Sequence, residues 1–371
     1  MDEAKEDLAQ LIWGQAARRA AQGDVSYVRE LGAQVADRHA AAVEQMRDHA
    51  HQLAHLMRVL AITPGRDSVE QLVRLLHEKN PHGSPAIMPA FMASLLAEHQ
   101  QTADLADVVF DRFGREGLDE LRACLFHELV LRGVDTDAHL HLHYWPIVRP
   151  GGHPLAWLPP SRRELEALVD FPTRSIGGSA FGVATGLPAE GRVDPPTPRT
   201  SERSALRDVA TQDVHETIVG PVEAGRWGHG DAWVFLLDEP LAPDRVPALL
   251  PTLPMPCVEG LGATNRFEVA VRPPTAIWRL LFGTASMGGM YGQAAHGAYG
   301  RLRAWRSMGA LSGAPLDARA EEVERQVMQS TWFHFEADAE WFHNEIGNDY
   351  GVAALSPDRR RIAVLAATDT D

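Results

Sequence analysis

Apolar residues in the first third of the chain recur at helical spacing. Val25, Val28, Leu31 and Val35, then Val43, Met46, Leu53, Leu56, Met57 and Leu60, step by threes, fours and sevens, the period that puts side chains on one face of an α-helix. Asp24 stands just before the first of them, where a carboxylate accepts from the free N–H groups of a helix start. The pattern breaks at Thr63-Pro64-Gly65 and restarts at Ser68, with Gln71 as capping-box partner and an apolar run at Leu72, Val73, Leu75 and Leu76. Further helices are expected over 85–98, 105–113 and 118–131, separated by the turn Asn80-Pro81-His82-Gly83 and by Gly114 and Gly117. Residues 1–132 therefore predict a helical bundle or an array of short helical hairpins. Ser68 and Thr102 both precede helices, but the apolar positions after them do not superpose, so no repeat is assigned.

From 133 to 205 the pattern dissolves into Pro- and Gly-dense sequence, including Pro150-Gly151-Gly152 and Pro195-Pro196-Thr197-Pro198. This predicts a connecting region with one short helix over 161–169. From 206 onward strand and helix patterns alternate. Strands are expected over 217–223, 233–237 and 267–271, and helices over 244–250, 275–286, 299–311 and 317–330. A hairpin follows, with strands over 350–355 and 362–367 joined by Ser356-Pro357-Asp358. Trp332, Phe335, Trp341 and Phe342 are expected in the core of this part. The fold class is thus α followed by α+β, with domains over 1–132 and 206–371.

Composition narrows the function. The 371 residues are 45% hydrophobic and 23% charged, as in ordinary globular chains. The formal charge of −15 disfavours nonspecific attraction to nucleic acid. No apolar run approaches the roughly 18 residues of a membrane span, and the acidic start is unlike a secretory signal. Two cysteines, Cys124 and Cys257, form neither a disulfide framework nor a zinc-type cluster. A cytoplasmic protein is the expectation. Lysine occurs only at positions 5 and 79, leaving Arg for the other 33 of the 35 basic residues, a bias that fits a high-GC bacterial genome.

Three stretches carry a resemblance: Leu237-Asp238-Glu239-Pro240, the run from Gly297 through Tyr299, Arg301 and Trp305 to Ser307, and the end of the chain from Ala363 to Asp371. Together they resemble an uncharacterised family of Streptomyces and related actinobacterial proteins, a domain of unknown function. The likeness covers about the last 150 residues and implies source rather than activity.

Four constellations bear on chemistry. In Asp137-Ala138-His139-Leu140-His141-Leu142-His143, alternate side chains of a strand would share one face. His139, His141 and His143, with Asp137, could then hold a divalent transition metal. The fragment from Asp137 to His141 also resembles the first-strand signature of the amidohydrolase superfamily, which would imply a metal-binding (β/α)8 barrel; the surrounding helical and Pro/Gly-rich sequence does not supply one. The plainer reading is a polar strand edge. His51 and His55 lie four apart on a helix, but Gln52 occupies the place a zinc protease gives to its general base. The glycine-rich stretch 283–300 suggests either close helix packing or an anion cradle with Arg301 and Arg303 as cationic partners and Trp305 as a stacking surface. His215, Glu216 and His229, near Asp231, suggest acid–base work without an identifiable nucleophile. The leading expectation is a non-catalytic protein-interaction or regulatory protein, with a protein partner or self-association. The alternative is a metal-dependent enzyme centred on the His139, His141 and His143 cluster.

Overall fold

Asp24 opens the first long helix: its Oδ1 accepts from the Tyr27 N–H at 3.4 Å, and α2 runs Val25–Ala41 behind it. In the computed structural model the described residues are 8–41, 46–79, 88–111, 117–148, 151–175, 178–180, 185–193, 206–261, 265–289, 294–342 and 348–369. The chain divides into two compact units, Met1–Ala156 with Thr173–Ala180, and Trp157–Pro172 with Phe181–Asp371.

The first unit is helical. Before α2, a π-turn at Leu11–Gln15 leads into α1, Ala16–Ala21. After it come α3 (Met46–Ile62), α4 (Arg66–Lys79), α5 (Pro89–His99), α6 (Thr102–Val108), α7 (Asp119–Leu131) and α8 (Leu140–Val148). A two-stranded antiparallel ribbon, β1 (Thr173–Ser175) and β2 (Gly178–Ala180), belongs to the same unit. The break foreseen at Thr63-Pro64-Gly65 is held by buried Gln100, which donates to Ala61 O and Thr63 O and accepts from the Gly65 N–H at 3.0 Å. The helix beyond starts at Arg66, so Ser68 lies inside it and is buried rather than capping.

α7 is buried from Leu121 to Leu131. Its polar groups survive burial because each has a partner. Arg122 donates to Val109 O at 2.8 Å and Asp111 O at 3.2 Å. Glu128 accepts from Ser94 and from Arg132. His127 bonds Leu155 O. The Cys124 thiol is pushed up by burial and so behaves as a small hydrophobe.

The second unit contains β3 (Arg192–Val193), α9 (Gln212–Gly225), β4 (His229–Leu236), α10 (Val246–Leu249), β5 (Phe267–Arg272), α11 (Pro274–Met287), α12 (His296–Ser312), α13 (Ala320–Gln329), β6 (Thr331–Ala337), β7 (Tyr350–Leu355) and β8 (Arg361–Thr368). Six strands form one antiparallel sheet in the order β3-β5-β6-β7-β8-β4. One face carries Trp233, Phe235, Phe333, Phe335, Leu355, Ile362 and Val364. It packs under α10 and the segment holding Leu253, Met255 and Val258. The other face lies against α9, α11 and α12, and the Thr284 hydroxyl of α11 bonds the Tyr350 hydroxyl of β7 at 3.0 Å. Both faces are covered, so β7 and β8 are buried almost throughout. Their near-continuous apolar sequence has that cause. At the hairpin tip Asp358 accepts from Ser356 Oγ at 2.6 Å and from the Arg360 N–H, and these bonds lower its carboxyl pKa.

Two expectations change. The segment 217–223, rich in β-branched residues and expected as a strand, is the middle of α9. Thr211 caps that helix by accepting from Val214 N, and its buried residues Ile218, Val219 and Val222 sit at helical spacing. Conversely β6, read only as core aromatics, is a central strand. Trp332, Phe335 and Phe342 are buried as expected.

The stretch 133–205 carries more regular structure than a linker. Residues up to 156 and the β1–β2 ribbon go with the first unit, and residues 157–172 with the second. There a short 3₁₀ turn, Glu164–Glu166, replaces the expected helix. Of the most Pro-rich part, residues 194–205 lie outside the described residues.

Candidate functional site

The histidine motif is not a strand. Asp135 accepts from the Asp137 N–H at 3.1 Å, Thr136–Ala138 forms a 3₁₀ turn, and α8 follows from Leu140. Only His139 keeps extended backbone. Residues two apart on a helix point about 200° apart, so His141 and His143 leave the common face that alternation would have provided. His143 Nδ1 bonds Asp137 Oδ1 at 2.9 Å, both exposed. Among the described residues there is no group of three or more His, Cys, Asp or Glu placed to hold a metal.

The helix that replaces the strand has an apolar face of its own. Leu142 and Trp145 are buried, with the Trp145 ring edge-on to Phe110 at 5.7 Å. On the opposite side Leu140, Tyr144 and Ile147 are 67%, 50% and 72% exposed.

The glycine-rich stretch resolves toward packing. A Cβ on Gly300 would come within 2.7 Å of Ser286 Cβ, and one on Gly225 within 2.1 Å of Thr284 O. These two positions let α9, α11 and α12 touch through their backbones. Arg301 and Trp305, the ligand groups of the anion-cradle alternative, are fully buried around Glu166. Glu166 Oε1 accepts from Arg301 Nε and from Trp305 Nε1, the latter at 2.7 Å. Oε2 accepts from Arg301 Nη2 at 2.9 Å and from the Arg163 N–H at 2.9 Å. Arg301 also donates to Pro159 O and Ser161 O. This network fastens residues 157–172 to α12. It is reinforced by Trp157 Nε1 donating to Ala318 O, and by the Arg306 guanidinium 3.8 Å from the centre of the Trp157 ring. Arg303 is exposed, with its stem near Gly220.

His215 and Asp231 do meet. His215 Nε2 lies 2.7 Å from Asp231 Oδ1, which also accepts from the Ala232 N–H. Glu216 is bonded back to Gln212 on the same helix, and the His229 ring lies against Trp341. The pair is a base oriented by a carboxylate, without a described Ser, Thr or Cys bonded to the imidazole. The Cys257 thiol is buried, and burial followed by the Asp231 charge raises its pKa steeply, which removes it as a nucleophile. On α3, the His55 ring lies 4.2 Å from Trp13, and burial and Arg58 lower its pKa.

The second unit holds one further feature. Between α11, β5, β6 and the two segments that hold Leu168 and Pro188 there is a cavity of about 180 Å³. Ile277, Leu280 and Met287 give it an apolar wall. Arg272 and His334 supply polar groups, and an Arg279–Asp170 ion pair stands at its more exposed side. Ala270 is directly opposite His334 in the β5–β6 ladder. Arg272, two residues on, therefore shares its face.

The model of DUF6183, a family of unknown function, matches residues 10–371. The chain belongs to the DUF6183 family. No curated protein and no solved structure matches it. The DUF6183 match corrects the extent of the resemblance seen in the sequence: it takes in the N-terminal helices as well as the last part of the chain. Both the exposed face of α8 and the cavity lie within it. No described helix is long and apolar enough to cross a membrane.

Sequence reasoning passed over His334 and Arg272. A signal existed, since His334 is the one ionisable residue inside Trp332-Phe333-His334-Phe335. The flanking aromatics drew the whole run into the core.

Proposed function

We propose that this DUF6183 protein acts through non-catalytic association, with a second copy of itself docked on α8. The observation that carries the reading is the row Leu140, Tyr144 and Ile147, at i, i+4 and i+7 on one helix and at least half exposed. Single exposed apolar residues are ordinary; a contiguous stripe of them marks an interaction surface.

The stripe itself favours a second copy. Its steps of four and three are nearly symmetric about Tyr144. A two-fold axis through that residue sets Leu140 of each copy against Ile147 of the other, with the two α8 helices antiparallel, as an isologous contact requires. The two buried free cysteines fit a reducing compartment such as a cytoplasm, and the Arg-for-Lys bias fits a high-GC, actinobacterial source.

Sedimentation velocity across a dilution series tests the association. The expected result is a monomer–dimer equilibrium that the double variant Leu140→Ser, Ile147→Ser shifts to monomer at unchanged melting temperature. Tyr144→Cys should in addition form a symmetric disulfide under oxidation. A wild-type chain that stays monomeric at every concentration, or a dimer that survives the double variant, would sink the proposal.

A further inference from the structure

Independently of association through α8, we infer that the cavity beneath α11 binds a small monocarboxylate that also carries a hydroxyl or amino donor, with Arg272 taking the carboxylate and His334 Nε2 accepting from the donor.

Two polar groups at the cavity stay open among the described residues. His334 is 5% exposed, and its Nε2 has no hydrogen-bond partner. Arg272, on the same face of the sheet and lining the same cavity, makes no ion pair or hydrogen bond with a described residue. Buried polar atoms in folded proteins are almost always paired, so an open one beside a cavity invites a ligand atom.

The state of the ring sets what that atom must be. Burial first, and Arg272 second, lower the His334 pKa to about 4, while a backbone hydrogen bond with Thr185 acts in the opposite sense. The ring is therefore neutral near pH 7. Nε2 has no partner, so the backbone bond with Thr185 falls to Nδ1, and the one proton of the neutral imidazole is placed there. Nε2 is left as a lone-pair acceptor. The ligand must bring an O–H or N–H to it.

Arg272 selects the other end. A guanidinium left open by the described residues suits a planar carboxylate. Among the described residues lining the cavity Arg272 is one unpaired cation, and Arg279 is already paired to Asp170, which disfavours a polyanion such as a diphosphate. Ile277, Leu280 and Met287 then offer contact to a short aliphatic tail, and about 180 Å³ limits its length.

Isothermal titration calorimetry on the full chain tests this with two matched sets: leucate, leucine and isocaproate, and the shorter lactate, alanine and propionate. Within one set, the member with a hydroxyl or amino group should bind about tenfold or more tightly than the bare acid, and the preferred member identifies the donor. Arg272→Gln should abolish binding of all members while leaving the melting temperature unchanged. His334→Phe should keep carboxylate binding and bring the three members of a set to equal affinity. No heat with any member at millimolar concentration overturns the inference. So does a preference for the donor-bearing acid that survives His334→Phe. Neither outcome touches the dimer of α8.

Discussion

At the scale of single residues, burial decides what the ionisable groups do. His334 shows this most clearly. Its pKa is lowered to about 4 in the folded chain and is about 6.5 when unfolded. Between those values the unfolded chain holds a proton at this position and the folded chain does not, so acidification favours unfolding. Stability is full above about pH 6.5, falls as pH drops toward about 4, and loses on the order of 3 kcal/mol through this residue. Urea unfolding followed across that window should show the decline, and His334→Phe should remove this part of it. A decline of equal size in the variant would assign the effect to other groups. Arg361 shows burial handled differently. Desolvation lowers its pKa to about 10, yet it stays charged at neutral pH. Its guanidinium donates to Ala310 O and Leu311 O in the last turn of α12, where Ala310 O also accepts from the capping Gly313 N–H.

At the scale of elements, the arm formed by residues 157–172 depends on one buried ion pair. Glu166 and Arg301 are both fully buried, and the pair is satisfied on every side by Trp305 and by backbone groups. Removing one charge of such a pair leaves the other uncompensated in a dry site. Glu166→Gln should therefore cost about 3–5 kcal/mol. Following Arg301→Met with the double variant in denaturant unfolding checks it: the double variant should be more stable than Glu166→Gln alone, because the stranded cation is gone. If Glu166→Gln unfolds at the wild-type midpoint, the pair does not hold the arm.

At the scale of the whole molecule, net charge opposes what the α8 stripe favours. Each copy carries a formal charge of −15, and the repulsion between copies is screened over about 10 Å at 0.1 M salt. Dimerisation through an apolar stripe should therefore tighten as salt is raised, which sedimentation equilibrium at low and high ionic strength reads directly. An association that weakens with salt would point to charge pairs at the contact instead of Leu140, Tyr144 and Ile147.

The chain's own pattern determined a good deal of this protein. Helical spacing with Asp24 as cap placed α2, and the same spacing placed α7, α11, α12 and α13 within a few residues. The Ser356-Pro357-Asp358 turn placed the final hairpin. In each case the local signal and the burial demanded by the fold agree. Where they diverged, tertiary contact decided. The alternation His139-Leu140-His141-Leu142-His143 suits a strand, but burying Leu142 together with Trp145 against Phe110 requires a helix, and that choice turns Leu140, Tyr144 and Ile147 outward. Residues 217–223 have strand composition, yet they sit in a helix because α9 packs on both α11 and α12 and closes on Thr284 of α11 at Gly225. Arg301 and Trp305 look like ligand groups in a linear reading; Glu166, 135 and 139 residues away from them, claims both. The cavity was invisible for the same reason. Its acceptor on β6, its cation on β5 and its wall on α11 meet only once the sheet is paired and covered, because the spacing of residues along a chain does not encode which distant segment will neutralise or leave open a polar group.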